Sequence, residues 1–345
     1  MTSSSGKAAS PGRAASRGKA ASRGKAVLVT GASSGVGRAT ALQLASEGAD
    51  VVLLSRSASV LAEVQRECEA HGVRAVVTVA DVTDRDALEA AFSTAVRELG
   101  RLDGVVHSAA ALSYGRFEDV PAEVFDKAVL TTLGGTANVA RCALSAFSES
   151  GGGSLVVVGS LLGKISTPFM SSYVTPKWGV HGLVRTLQIE ARTTPDTHVS
   201  LVWPGGVDTP VYLQAGTYLK RHGRPPPPVD SPEKVARAVV AALWKPRREV
   251  SVGLANPITV TGFRLFPGLF DVLVTPLMKL GGLSRGEVEN SPGNVLSPTP
   301  EGEAVHGRWG RQWLRPVATV GLGVVAAGAG LAATAVRGVN RAGRP

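Results

Sequence analysis

The 345-residue chain has only two cysteines, Cys68 and Cys142, and no Cys-x-x-C pair, so neither a disulfide framework nor a cysteine-rich zinc site is expected. Both lie in stretches that read as helix and are taken as free thiols in a reducing compartment. Aromatic residues make up only 5% of the chain, and no basic stripe is interleaved with them, which speaks against a nucleic-acid-binding function. No apolar secretory core precedes a cleavage site near the N-terminus, so export is not indicated. The termini lack acids altogether. Residues 1–25 carry six Lys/Arg and residues 305–345 six more, and without those twelve the remainder has 25 basic against 27 acidic residues. The formal charge of +10 therefore belongs to the tails, and the body between them is close to neutral.

Hydrophobic residues make up 44% of the chain, an ordinary share for a folded protein. Residues 1–25 form a Ser/Gly/Ala/basic repeat with no large apolar side chain, and this arm cannot offset its ordering entropy by burial. From Ala26 onward, short Val/Leu runs alternate with helical stretches. The runs are 26–30, 50–54, 74–79, 102–107, 154–159, 198–203 and 249–252. Continuous apolar strands separated by helices predict an α/β, Rossmann-type doubly wound fold over 26–253, with a seven-stranded parallel sheet and helices on both faces. Residues 204–232 break this rhythm and are read as a substrate lid, ending in a helix capped by Asp230 or Ser231 with Pro232 in its first turn.

Residues 254–304 read as an apolar, then Pro/Gly-rich extension. Residues 305–345 hold a 20-residue uncharged segment, 317–336, flanked by arginines. Its length fits one crossing of a bilayer, so a membrane-contacting C-terminal tail helix on a cytoplasmic catalytic domain is expected. A helix lying at the interface or packed on protein is the alternative.

The first strand runs into Thr30-Gly-Ala-Ser-Ser-Gly-Val-Gly37 and then a helix. Glycines at 31, 35 and 37 allow a tight turn and close backbone approach, and Ser33, Ser34 and Val36 lead to a helix N-terminus whose free N–H groups attract a pyrophosphate. The second strand ends in Ser55-Arg56, with no acid to repel a phosphate and a guanidinium able to bind one, which favours NADP(H) over NAD(H). Asp81, followed by Val82, ends the third strand and is a candidate partner for an adenine amino group, or else a helix cap. Tyr173 and Lys177, four apart, share a helix face, and an ammonium beside a phenol would lower the phenol's pKa.

Taken together, TGASSGVG, Asp81, GSLLG (159–163), YVTPK (173–177) and PGGVDT (204–209) resemble the short-chain dehydrogenase/reductase family in content and order over residues 26–253. Ser160 precedes Tyr173 by thirteen residues, as the family's catalytic serine does. The resemblance implies that Tyr173 is the general acid/base, that Ser160 binds the substrate oxygen, and that Lys177 tunes Tyr173 and holds the nicotinamide ribose. Pro204, Gly205, Val207 and Thr209 would line the nicotinamide, and Ser108 and Ala109 the loop after the fourth strand. The chain departs from the family pattern at His107-Ser108-Ala109-Ala110 and at Thr132, which stands where the family places a relay asparagine. The resemblance further implies a homodimer or homotetramer. The expected activity is NADP(H)-dependent interconversion of a carbonyl and a secondary alcohol on a small lipophilic substrate, lipophilicity being read from Leu161, Leu162, Phe169, Met170 and the 254–280 extension. No metal and no specific nucleic acid are expected. The alternative is a catalytically weak, membrane-tethered NADP(H)-binding interaction protein.

Overall fold

A computed structural model describes residues 21–310. The basic arm up to residue 20 and the 317–336 segment lie outside the described residues. Seven parallel strands form the main sheet: β1 (Ala26–Thr30), β2 (Asp50–Ser55), β3 (Ala75–Val79), β4 (Gly104–His107), β5 (Gly153–Val158), β6 (Thr197–Pro204) and β7 (Glu249–Val252). Their spatial order is β7-β6-β5-β4-β1-β2-β3, so the chain winds outward from β1 in one direction and then returns to wind in the other. The order reverses beside β1 and β4, where a crevice opens at the carboxyl ends of the strands.

Both sheet faces are covered, and β1 shows how. Val27 and Val29 enter one apolar cluster, Ala26 and Leu28 the opposite one, and all four are at most 2% exposed. Two-residue alternation with both faces buried requires the unbroken apolar run seen in the sequence. Burial of each Val or Leu side chain contributes roughly 1.5–3 kcal/mol. On one face lie α1 (Gly35–Ser46), α2 (Ala58–Glu69) and α7 (Pro232–Trp244). On the other lie α3 (Arg85–Leu99), α5 (Gly135–Ser150) and α6 (Ser171–Glu190).

Helix ends follow their local chemistry. Asp84 caps α3 by accepting from the Ala87 N–H at 3.0 Å, and Ser231 caps α7 with Pro232 at its first position. Helix α3 stops at Gly100, whose φ of 75° is the left-handed conformation glycine tolerates. Preceding α5, helix α4 (Ala122–Val129) runs through a π turn over Leu130–Gly134, which inserts an extra residue into the helical register.

The 204–232 stretch carries two small pairings, Gly206–Val207 with Val229–Asp230 and Ser113–Tyr114 with Gly216–Thr217. Beyond β7 come α8 (Asn256–Leu265) and α9 (Pro267–Leu277), both leaving apolar side chains exposed. Residues 291–310 then return as an extended strap across the carboxyl end of the sheet. Ser291 pairs with Thr217, the Asn294 N–H donates to the Gln214 carbonyl at 2.8 Å, and Val295 is fully buried. Among the described residues no helix is long and apolar enough to cross a membrane. Cys68 and Cys142 are free thiols, and burial pushes the Cys68 pKa up to about 12.

Candidate active site

A cavity of about 1410 Å³ opens at the carboxyl ends of the strands. Every catalytic and cofactor-binding candidate from the sequence lines it except Thr132, whereas His107 and Phe169, singled out on other grounds, do not. The glycine loop forms one wall. Gly31 and Gly35 have φ of 68° and 53°, and a Cβ at Gly37 would stand 2.1 Å from the Gly31 carbonyl oxygen. Loop and helix can therefore touch only if position 37 has no side chain. The first turn of α1 carries no acid to offset the positive pole of the helix N-terminus, and Gly35, Val36 and Gly37 of that turn line the cavity, the Gly35 N–H being donated to the Ala304 carbonyl at 2.8 Å. The loop fits a pyrophosphate by shape as well as by charge.

The substituted segment after β4 is held by hydroxyls. His107 lies between Thr30 Oγ1 at 2.8 Å and Thr136 Oγ1 at 2.9 Å, and burial, with a smaller contribution from Lys177, lowers its pKa to about 3. It is therefore neutral and structural. Ser108 Oγ donates to the Thr30 carbonyl at 2.8 Å, which keeps this loop against the glycine loop.

Asp81 faces the cavity with its carboxylate already engaged. Oδ1 accepts from the Thr83 N–H and hydroxyl, both at 2.9 Å, and Oδ2 from Lys127 Nζ at 3.0 Å. These bonds outweigh burial and hold its pKa below the usual carboxylate range. The helix cap nearby is Asp84, leaving Asp81 to the cavity. Arg56 Nη1 lies 4.0 Å from Asp81 Oδ2, and its Nη2 donates to the Asn294 carbonyl at 2.7 Å.

Ser160, Tyr173 and Lys177 meet on the wall formed by the end of β5 and the first turns of α6. Burial raises the Tyr173 pKa to about 12, opposed only by hydrogen bonding to Ser160. Lys177 is 4% exposed, and loss of hydration lowers its pKa to about 8. Its Nζ donates to the Val158 carbonyl at 2.9 Å and sits 5.5 Å from the centre of the Tyr173 ring. The expectation that the ammonium depresses the phenol pKa does not hold in this arrangement. Nζ is directed to a backbone carbonyl, and desolvation dominates both groups.

Thr132 is fully buried and turned away from the cavity. Its hydroxyl donates to the Ala111 carbonyl and accepts the Ala111 N–H, each at 3.1 Å. Thr131 lines the cavity instead, with its Oγ1 buried and without a hydrogen-bond partner. Sequence reasoning also missed His181, one turn beyond Lys177. Its Nε2 accepts the Ser160 N–H at 3.3 Å, and its ring fills the space left by Gly159 and Gly163. Spacing of four from Lys177 was the available signal. Glu303 and Asn294, carried in by the strap, also line the cavity and gave no signal at all. No cluster of His, Cys, Asp or Glu among the described residues could hold a metal ion.

A family model described as short chain dehydrogenase matches residues 25–217. The chain is 33% identical over 256 residues to the uncharacterized oxidoreductase YxnA of Bacillus subtilis, covering 73% of this chain and 72% of that protein. It is 32% identical over 237 residues to the probable oxidoreductase EphD of Mycobacterium tuberculosis, where it spans 39% of the relative's length. Among solved structures, a short chain dehydrogenase from Mycobacterium paratuberculosis bound to NAD matches at a TM-score of 0.60 and 27% identity, over 67% of this chain and 96% of that one. An alcohol dehydrogenase from the archaeon Thermococcus sibiricus complexed with 5-hydroxy-NADP matches at 0.57 and 28%, over 66% and 94%. With the doubly wound sheet, the glycine loop and the family match lying on the same residues, this chain belongs to the short-chain dehydrogenase/reductase family of oxidoreductases.

Proposed function

We propose that the protein reduces the carbonyl of a small lipophilic substrate to a secondary alcohol, with NADP(H) as the dinucleotide. The observation that carries this reading is the meeting of Ser160, Tyr173 and Lys177 on one cavity wall, opposite the glycine loop. When bound, the dinucleotide supplies the hydride. The loop from Gly31 to Gly37 would hold its pyrophosphate, and Pro204, Gly205, Val207 and Thr209 would flank its nicotinamide end.

Ser160 Oγ would donate a hydrogen bond to the substrate oxygen and stabilise charge as it develops there. Tyr173, whose phenol stays protonated with a pKa of about 12, would deliver its proton to that oxygen. A protonated phenol is the form that donates, as the reductive direction requires. Lys177 stands one helical turn away and would hold the nicotinamide ribose and restore the phenol's proton. The backbone N–H of Ser160, fixed by His181, keeps the serine aimed at the cavity.

Arg56, with no acid at the end of β2, supports NADP(H). Leu161, Leu162 and Met170, together with Phe266, Leu269 and Leu273 from the helices beyond β7, line the substrate side with apolar surface. That lining supports a lipophilic substrate. A homo-oligomer, and membrane contact through residues 317–336, are parts of the proposal that rest on the sequence alone. The test is NADPH consumption against a panel of aliphatic and aromatic ketones. Turnover on apolar ketones is expected, with Kd for NADPH below that for NADH. A protein that binds NADPH yet reduces none of them, with wild type and Tyr173→Phe equally inert, would instead be an interaction protein.

A further inference from the structure

The end of β2 lacks an acid in sequence, but the fold supplies one. The strap brings Glu303 against Ser57, 246 residues earlier, where Ser57 Oγ donates to Glu303 Oε1 at 2.8 Å. Ser57 follows Arg56 directly and is 3% exposed. Glu303 Oε2 is buried and accepts no hydrogen bond from the protein, and Glu303 lines the same cavity as Arg56 and the glycine loop. A buried carboxylate oxygen without a donor is costly, and such an atom beside a ligand cavity points to donors brought by the ligand.

The placement of this carboxylate is over-determined. The Ala304 carbonyl accepts the Gly35 N–H at 2.8 Å and the Ser34 hydroxyl at 3.2 Å, which fixes the strap on the glycine loop. Further along, the buried Asp208 accepts the backbone N–H groups of Trp309 and Gly310 at 3.1 and 2.9 Å, and Trp309 packs edge-on to Tyr212. With Asn294 held on Gln214 before it and Ala304 and residues 309–310 held after it, Glu303 sits on a segment anchored on both sides, and one anchoring group, Asp208, lies in the segment that would flank the nicotinamide.

We infer that Glu303 is a specificity-determining residue of the adenosine-ribose subsite. Its free oxygen accepts hydrogen bonds from ribose hydroxyls, and its charge opposes a 2′-phosphate that Arg56 attracts. The dinucleotide preference is then set by an acid and a base held at one place, the acid arriving from the far end of the chain. This rests on the reading that a 2′-phosphate would lie beside Arg56.

The experiment is calorimetric titration of wild type, Glu303→Gln and Arg56→Ala with two probes, ADP-ribose and 2′-phospho-ADP-ribose. Glu303→Gln is expected to shift the affinity ratio toward the phosphorylated probe by about tenfold or more, the size expected when one unit charge beside a phosphate is removed. Arg56→Ala is expected to shift it the other way. An unchanged ratio in Glu303→Gln, with Arg56→Ala still shifting it, overturns the role of Glu303 alone. A ratio indifferent to Arg56→Ala but moved by Glu303→Gln overturns the Arg56 reading and leaves the glutamate as the discriminating group. Indifference to both overturns the two together. Glu303→Ala carries the same prediction and guards against a folding defect peculiar to the amide.

Discussion

Replacing Lys177 by methionine should remove a pH-dependent penalty that the wild-type fold carries. Burial takes the ammonium from its ordinary 10.5 to about 8, equivalent to about 3 kcal/mol of destabilisation while the group is charged in both states. In the unfolded chain the lysine keeps its proton up to about pH 10.5. Between pH 8 and 10.5 the unfolded state therefore binds more protons than the folded one, and stability rises with pH. Urea unfolding of both proteins without dinucleotide, at pH 7 and at pH 10.5, gives the difference between them. Other titrating groups cancel in that difference, and so does the pH-independent loss of the Val158 hydrogen bond. The wild type should gain about 3 kcal/mol on the variant across this interval. A gap that does not move with pH would refute the reasoning, because it would mean that Lys177 is not desolvated.

Ser160→Ala should lower kcat by about 10²- to 10³-fold in ketone reduction while the Kd for NADPH stays within twofold of wild type, as expected for loss of one oxyanion-stabilising donor. Thr132→Val strands the N–H and C=O of Ala111 in a fully buried place. It should cost about 1–3 kcal/mol in urea unfolding and change kcat less than tenfold, because the hydroxyl does not face the cavity. Gly37→Ala forces a Cβ onto the Gly31 carbonyl and should abolish NADPH binding in titration before it abolishes folding by circular dichroism. Burial holds both His107 and His181 near a pKa of about 3, so kcat/KM measured from pH 5 to 7 should show no histidine titration.

The strands were legible because a strand buried on both faces must be apolar throughout, and the seven runs fall within two residues of the observed elements. The glycine loop and the Tyr173, Lys177 pair were legible because each is local, fixed by one turn or one helix, while Ser160, beyond the end of β5, was legible only through the family resemblance. Three features were not. Thr132 was selected because it stands where the family places a relay asparagine, which identifies a position but not the direction of its side chain, and across the π turn at 130–134 the cavity receives Thr131 instead. The four-residue spacing of Tyr173 and Lys177 fixes a shared face but not a rotamer, and the ammonium goes to Val158. The strap is held largely by backbone groups such as the Ala304 carbonyl, which leave no periodicity to read, so Glu303 appeared as one acid in a Pro/Gly-rich extension.

The central claim is that Tyr173 and Ser160 complete a hydride transfer onto a carbonyl carbon. The direct measurement follows deuterium from NADPH deuterated at both C4 positions into the carbinol position of the product in a single turnover. Wild type should transfer the label to product, and Tyr173→Phe should bind the dinucleotide as tightly while transferring it at least about 10²-fold more slowly. Equal transfer rates in the two proteins, or product without label, would contradict the account.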